Sequence, residues 1–284
     1  MSDKPGTLGI LAGGGPLPGH LIEACRTIGR NCFVIAFEGH ADPAVIGEAP
    51  HAWVRLGAAA EAIGLLHMQN VTDIVMAGPV RRPSLRDLRP DARAARFLAR
   101  GMFARGDDGL LGAIVRVLEE EEGFRVVGAD SLLTDLRAPH GAFGAVRPDA
   151  AAESDIARGV EVVRALGALD VGQAVVVRAG IVLGVEAAEG TAGLLARMAP
   201  FRAGGEGGVL VKLAKPRQNR RVDLPTIGPD TVTAAAAAGL SGIAVMAGAT
   251  LVIDRAEIVT RADAAALFVS GIRPGDYVRD YEAD

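Results

Sequence analysis

The sequence predicts a two-domain α/β protein, with a helix-flanked parallel sheet in the N-terminal half and a mixed α/β domain in the C-terminal half. Three observations predict this. The 284 residues exceed the usual size of one domain. Short apolar runs alternate with helically spaced segments through the first half, as in parallel α/β folds. Between Leu136 and Ala150 that periodicity lapses while Pro139, Gly141, Gly144 and Pro148 gather. The expected boundaries are 1–137 for the first domain, 138–150 for a linker and 151–284 for the second domain.

The elements follow in order. Leu8 to Ala12 is a short apolar run ending in glycines, and Pro18 to Ile28 then carries helical spacing. Asn31 to Phe37 reads as a second strand, Ala59 to Gln69 as a helix, and Asp73 to Ala77 as a third strand stopped by the loop Gly78 to Pro83. Pro90 to Gly101 is a helix with Arg89, Arg93, Arg96 and Arg100 on one face, a spacing that usually marks a solvated surface. Asp107 and Asp108 open a further helix through Glu122, since carboxylates suit helix N-termini, and a strand follows near Arg125 to Gly128.

Beyond the linker, Ile156, Val160 and Val163 mark one face of an amphipathic helix. Ala174 to Val177 and Ile181 to Val185 are strands joined at Ala179-Gly180, and Thr191 is expected to cap a short helix reaching Met198. Val209 to Leu213 is a strand. From Thr231 to Ile253 there is no charge, a length that would span a bilayer, but Gly239, Gly242 and Gly248 divide it. A helix followed by two buried strands fits it better.

Composition narrows the chemistry. Half of the residues are apolar, 23% are charged and the net charge is −4, which argues against general nucleic-acid binding. Cys25 and Cys32 lack zinc-ligand spacing and the five histidines are scattered, so a reducing cytoplasm is expected, with no structural zinc. No signal peptide is expected, because the first apolar stretch breaks at Gly13-Gly14-Gly15-Pro16.

Two stretches carry the chemical signal. Gly13, Gly14, Gly15, Pro16, Leu17, Pro18 and Gly19 stand where a Rossmann-like phosphate turn would stand, although the strict dinucleotide pattern fails. Glycines admit a ligand close to the backbone, and the following helix N-terminus favours anions. A merely tight strand–helix turn is the alternative reading. Glu38 keeps a nicotinamide-dependent oxidoreductase in view as a distant rival. The second stretch is denser: Lys212, Lys215, Arg217, Arg220 and Arg221 surround Gln218, Asn219 and Asp223, and Leu224 to Pro229 turns into a helix at Asp230. Cations offset phosphate charge, and a carboxylate can hold a divalent metal or orient water. A solvated basic loop is the plainer reading. Glu186 and Glu189 pair only if the preceding strand ends between them.

Six blocks occur in register: Ala12-Gly13-Gly14-Gly15-x-Leu17-Pro18, Gly78-x-Val80-x-Arg82-Pro83, Gly106-Asp107-Asp108-x-Leu110-Leu111, Asp170-x-Gly172-Gln173, Glu186-x-x-Glu189-Gly190-Thr191, and Lys215-Pro216-x-Gln218-x-x-Arg221-x-Asp223-x-Pro225-x-Ile227-Gly228. Together they resemble the LpxI-type UDP-2,3-diacylglucosamine pyrophosphatases from end to end. The resemblance implies Mg²⁺-dependent hydrolysis of UDP-2,3-diacylglucosamine to UMP and 2,3-diacylglucosamine 1-phosphate (lipid X), in lipid A biosynthesis of Gram-negative bacteria, with water attacking the sugar-side phosphorus. It places the family's essential aspartate on Asp223. On this reading Arg221, Lys215 and Gln218 are expected to hold the phosphates, and Asp223, with Glu189 as a candidate partner, to bind the metal or position water. Substrate contacts are expected from Gly13, Gly14, Gly15, Leu17, Pro18, Arg82, Asp107, Asp108, Gln173 and Thr191. Two long acyl chains call for an apolar groove or access from the membrane, so a cytoplasmic protein with peripheral inner-membrane contact is expected, and homodimerisation stays open. The chain departs from the family pattern at Ala192, where an aspartate is usual, at Asn219, where an acid is usual, and at Ala60-Glu61, where Gly-Lys is often found. Those departures motivate a second reading, a binder of nucleotide-sugar or lipid phosphate with impaired turnover.

Overall fold

The computed structural model describes residues 6–80, 88–101, 106–198, 200–201, 207–215, 221–222 and 224–277, with side chains at 97–101, 106–108 and 110 left undescribed. The chain divides into two compact units, one of residues 1–134 with 219–223, the other of residues 135–218 with 224–284.

The first unit is built from β1 (Thr7–Ala12), α1 (Leu17–Thr27), β2 (Cys32–Phe37), α2 (Pro43–Ile46), β3 (His51–Val54), α3 (Ala59–Met68), β4 (Val71–Ala77), α4 (Ala92–Gly101), α5 (Gly106–Glu120), β5 (Arg125–Val126) and α6 (Ala129–Leu132). Its five strands lie in the order β3-β2-β1-β4-β5 and pair only in parallel. Phe33, Ile35, Ile74 and Val126 form a core with Ile63 and Leu66 of α3 and Val115 and Leu118 of α5. Cores of this kind explain the unbroken apolar runs of β1 and β2, because parallel strands are covered on both faces. Asp91 starts α4 by accepting from the N–H groups of Arg93 and Ala94 at 2.9 and 2.7 Å, and it also takes Ala60 N–H of α3 at 2.8 Å. Opposite the site end of the sheet, Asp73 is buried between Arg30 and Arg125.

The second unit holds β6 (Gly141–Ala142), α7 (Ala150–Ala168), β7 (Ala174–Arg178), β8 (Ile181–Val185), α8 (Gly190–Ala196), β9 (Val209–Lys212), β10 (Thr226–Ile227), α9 (Pro229–Ala237), β11 (Gly242–Met246), β12 (Leu251–Val252), α10 (Arg255–Ala264) and β13 (Phe268–Ile272). Six strands form a mixed sheet, β6-β13-β11-β9-β7-β8, and β10 pairs with β12 apart from it. Alternation along the strands sorts two cores. Ala174, Val176, Leu210, Ile243 and Val245 meet Leu194, Val232 and Ile258 on one face, whereas Val175, Val177, Val209 and Val211 meet Ile156, Val160 and Val163 of α7 on the other. Gly159 lets α7 approach the sheet, since a Cβ there would lie 2.4 Å from Val211 Cγ2. The expected turn at Ala179-Gly180 is present, with both φ angles positive and both N–H groups bonded to buried Asp155.

Two expectations change. Segment 138–150 is no free linker: Ala138 N–H bonds to Thr250 O at 2.8 Å, Phe143 N–H bonds to Val269 O at 2.8 Å, and β6 pairs with β13. Its two-residue strand is too short to show a period. Arg221 and Val222, expected in the second domain, belong to the first unit. The uncharged stretch from Thr231 to Ile253 forms the rest of α9 and then β11 and β12, and among the described residues no helix is long and apolar enough to cross a membrane.

Candidate active site

In the first unit, the strand order reverses direction between β1 and β4, and the C-terminal ends of the strands at such a switch point are where open parallel sheets bind ligands. The glycine turn after β1 and the Gly78 loop after β4 meet there. Gly13 N–H bonds to Ala77 O at 2.8 Å and Gly14 N–H to Pro79 O at 2.9 Å. A Cβ on Gly78, at φ 86°, would lie 2.0 Å from Gly14 O, and one on Gly13 would lie 2.6 Å from Pro79 O. Two blocks 65 residues apart in the chain are therefore one clasp (78 − 13).

This sharpens the expected role of the glycines. The amides of Gly13 and Gly14 are spent on the neighbouring loop and do not face a ligand. Gly15, at φ 73°, swings the chain into α1, whose first turn contains Leu17 and Pro18. What remains for an anion is the start of α1, where first-turn N–H groups lack helical acceptors. Glu38 follows β2 on the same edge and is exposed. Asp107 and Asp108 lie in the first turn of α5, as expected, with their side chains outside the described residues; Arg82 lies outside them altogether. Arg221 is paired with Glu119 of α5 at 2.6 Å.

In the second unit three blocks converge. Glu186 is buried, and its two oxygens accept from Thr191 Oγ1 at 2.7 Å and Gln173 N–H at 3.0 Å. Buried Lys212 donates to Thr191 Oγ1 at 2.9 Å and to Thr226 O at 3.2 Å. Lys215 Nζ stands 2.5 Å from Asp170 Oδ1. Gly172 is required because a Cβ there would lie 2.0 Å from Glu186 O. The result is a chain of charge-assisted bonds, Lys212–Thr191–Glu186, that fixes the start of α8. Among the described residues, two oxygens beside it, Asp170 Oδ2 and Gln173 Oε1, are buried without a hydrogen-bond partner.

Thr191 is thus no helix cap: Glu189 holds that position, and the Thr191 hydroxyl is committed to Glu186. Glu189, expected as a metal ligand, is engaged by an arginine. It pairs with Arg197 at 2.9 Å, and its own backbone N–H together with Arg197 lowers its pKa. β8 ends at Val185, so Glu186 turns inward while Glu189 begins the helix outside. Glu186, Asp170 and Lys212 are the residues whose part in the site the spacing alone did not assign. Their signal was membership of, or adjacency to, the blocks. Asp223 and Gln218 lie outside the described residues.

Comparison with known proteins decides the family. Residues 7–136 match the model described as the LpxI N-terminal domain, and residues 139–270 match the LpxI C-terminal domain. A relative from Caulobacter vibrioides, the UDP-2,3-diacylglucosamine pyrophosphatase LpxI, is 41% identical over 277 residues, which cover 94% of this chain and 98% of the relative. The chain belongs to the LpxI family. The departures from the family pattern are now placed. Ala192 is exposed in the first turn of α8, Glu61 is exposed in the first turn of α3 where a carboxylate suits the helix dipole, and Asn219 lies outside the described residues.

The Mg²⁺ implied by the resemblance needs free hard oxygen donors. Among the described residues no three His, Cys, Asp or Glu side chains form such a group. Both Glu186 oxygens are hydrogen-bonded and Glu189 is held by Arg197, so these acids do not fit the metal.

Proposed function

We propose that this protein hydrolyses the pyrophosphate of UDP-2,3-diacylglucosamine, giving UMP and 2,3-diacylglucosamine 1-phosphate. The observation that carries this is the 41% identity to the Caulobacter pyrophosphatase across 94% of the chain, with both domain models matched. The C-terminal edge of the sheet beside the Gly13–Gly78 clasp receives the nucleotide, with the start of α1 facing phosphate oxygens. Lys215, Arg221 and Gln218 offset phosphate charge, and Asp223 orients the attacking water. The bond between the sugar-side phosphorus and the bridging oxygen breaks, and UMP leaves with that oxygen. The Lys212–Thr191–Glu186 chain positions the residues around it and does not itself touch the reacting atoms.

The test is UMP release from purified protein and UDP-2,3-diacylglucosamine. Asp223→Ala is expected to remove at least about a hundredfold of the rate, a common loss for a general-base or electrostatic group. No UMP from the intact chain would sink the hydrolase reading. EDTA checks the Mg²⁺ requirement: release lost and then restored by Mg²⁺ establishes it, and undiminished release removes it. The second reading, a nucleotide-sugar or lipid-phosphate binder, is favoured by Ala192 and predicts ligand-induced thermal stabilisation without UMP. Ala192→Asp would then raise turnover. Peripheral contact with the inner membrane and a homodimer belong to the same proposal, and vesicle flotation and light scattering check them.

A further inference from the structure

The hydrolysis just described uses nothing at the opposite end of the first sheet, where α1 ends and β2 begins across one tight turn. Gly29, at φ 67°, reverses the chain there, and Arg30 N–H closes the turn on Cys25 O at 2.9 Å. The turn sets Cys25, in the last turn of α1, beside Cys32, the first residue of β2. These are the chain's two cysteines, seven residues apart (32 − 25). Both are free thiols, and the Cys25 S–H donates to the Cys32 sulfur. Cys25 is wholly buried, whereas Cys32 is half-buried and lines a cavity of about 530 Å³. A reagent from solvent therefore reaches Cys32 directly and Cys25 only through it.

The cavity has walls that suit a small zwitterionic peptide, and its volume is that of a small-molecule site. Arg26 and Arg30 are its cations, Glu48 its carboxylate, and Asn31, Gln69 and Asn70 its amides. Arg30 is held by Asp73, but the Arg26–Glu23 pair is exposed, so Arg26 can turn to a carboxylate at little cost. We propose that Cys25 and Cys32 form a redox pair, oxidised by a low-molecular-weight peptide disulfide that docks in this cavity. The Cys32 thiolate attacks one sulfur of that disulfide, the S–S bond breaks, and one peptide leaves as its thiolate, which takes up the proton Cys32 released. Cys25 then attacks the Cys32 sulfur of the mixed disulfide, its proton passes to the second departing sulfur, and a Cys25–Cys32 bond forms. Two electrons pass to the peptide disulfide, which becomes two thiols. The environment sets this order. The hydrogen bond from Cys25, with the charge of Arg26, lowers the Cys32 thiol to about 7 against burial, so its thiolate is populated near neutral pH. Cys25 is raised chiefly by the same bond, an influence that ends once Cys32 is capped.

The experiment treats the full chain with oxidised glutathione at neutral pH, alkylates the thiols that remain and maps the peptides by mass. The two free thiols should fall to none, with a Cys25–Cys32 cross-link and no retained glutathione, and dithiothreitol should restore both. Cys25→Ser should stop at one glutathione on Cys32, and Cys32→Ser should leave Cys25 unreacted. Arg26→Gln should slow oxidation by oxidised glutathione at least about threefold more than oxidation by uncharged hydroxyethyl disulfide. Both thiols intact, glutathione retained on the unmodified chain, or a disulfide between two chains overturns the inference, and these three are read without any variant. Reaction of Cys25 in Cys32→Ser, or equal slowing of the two oxidants in Arg26→Gln, overturns it as well. UMP release plays no part in the readout, so failure here leaves the hydrolase reading untouched.

Discussion

Asp73 is the residue on which the first unit's stability is most exposed to change. Arg125 reaches it through Nε and a terminal nitrogen at 2.7 and 2.8 Å, and Arg30 donates from the buried side. The hydrogen bond from Arg125 is the largest influence on its carboxyl; burial opposes it, Arg30 assists it, and the pKa is lowered overall. A carboxylate whose folded pKa is lowered contributes in full above its ordinary value, and the contribution is lost as pH falls through the folded value. Asp73→Asn leaves the buried Arg30 guanidinium without its counter-charge. It is expected to cost about 3–5 kcal/mol near neutral pH. Urea unfolding should show that cost shrinking as pH drops below about 3.9, and an undiminished difference at low pH would refute the ionic origin. Elsewhere in the first unit, Cys25 and Cys32 are free thiols whose mutual hydrogen bond raises the first and lowers the second to about 7.

At the scale of elements, the Gly13–Gly78 clasp ties the ends of β1 and β4 into one surface. Gly78→Ala demands both a left-handed backbone with a Cβ and room where Gly14 O already stands at 2.0 Å. The expected result is about 2 kcal/mol or more of lost stability. Thermal stabilisation by UDP should fall with it, whereas the same substitution at Gly64, where a Cβ meets nothing within 4 Å, should leave the UDP effect in place. Apolar runs announced β1, β2, β4, β7 and β9, because each carries buried side chains along its length, and β8, which is only half-buried, was announced by its apolar run alone. β3 stayed hidden as a four-residue strand, with His51 exposed and only Val54 buried. β13 was masked by Ser270-Gly271 in mid-strand, although Gly271 is needed because a Cβ would lie 1.8 Å from Pro139 O. The site followed the same logic. Blocks such as Asp170-x-Gly172-Gln173 were legible as blocks, but which carboxylate faces inward depended on β8 stopping at Val185, one residue before Glu186.

For the whole molecule, the decisive fact is that the first unit is not a continuous piece of chain. It takes residues 219–223 from between β9 and β10 of the second unit. Within the first unit, Arg221 binds Glu119 and Val222 packs against the core that includes Phe33, Ile74 and Val126. A fragment ending at residue 136 would lack both, and it should melt well below the corresponding transition of the intact chain. Supplying residues 137–284 as a separate polypeptide should recover part of the difference, whereas equal melting of the lone fragment would show that Arg221 and Val222 contribute little. A gene cut at the obvious seam would thus separate each half from something it shares. Residues 219–223 belong to the second half in sequence and to the first unit in structure, so a lineage that shuffled the second half alone into another protein would carry them away from the unit they belong to.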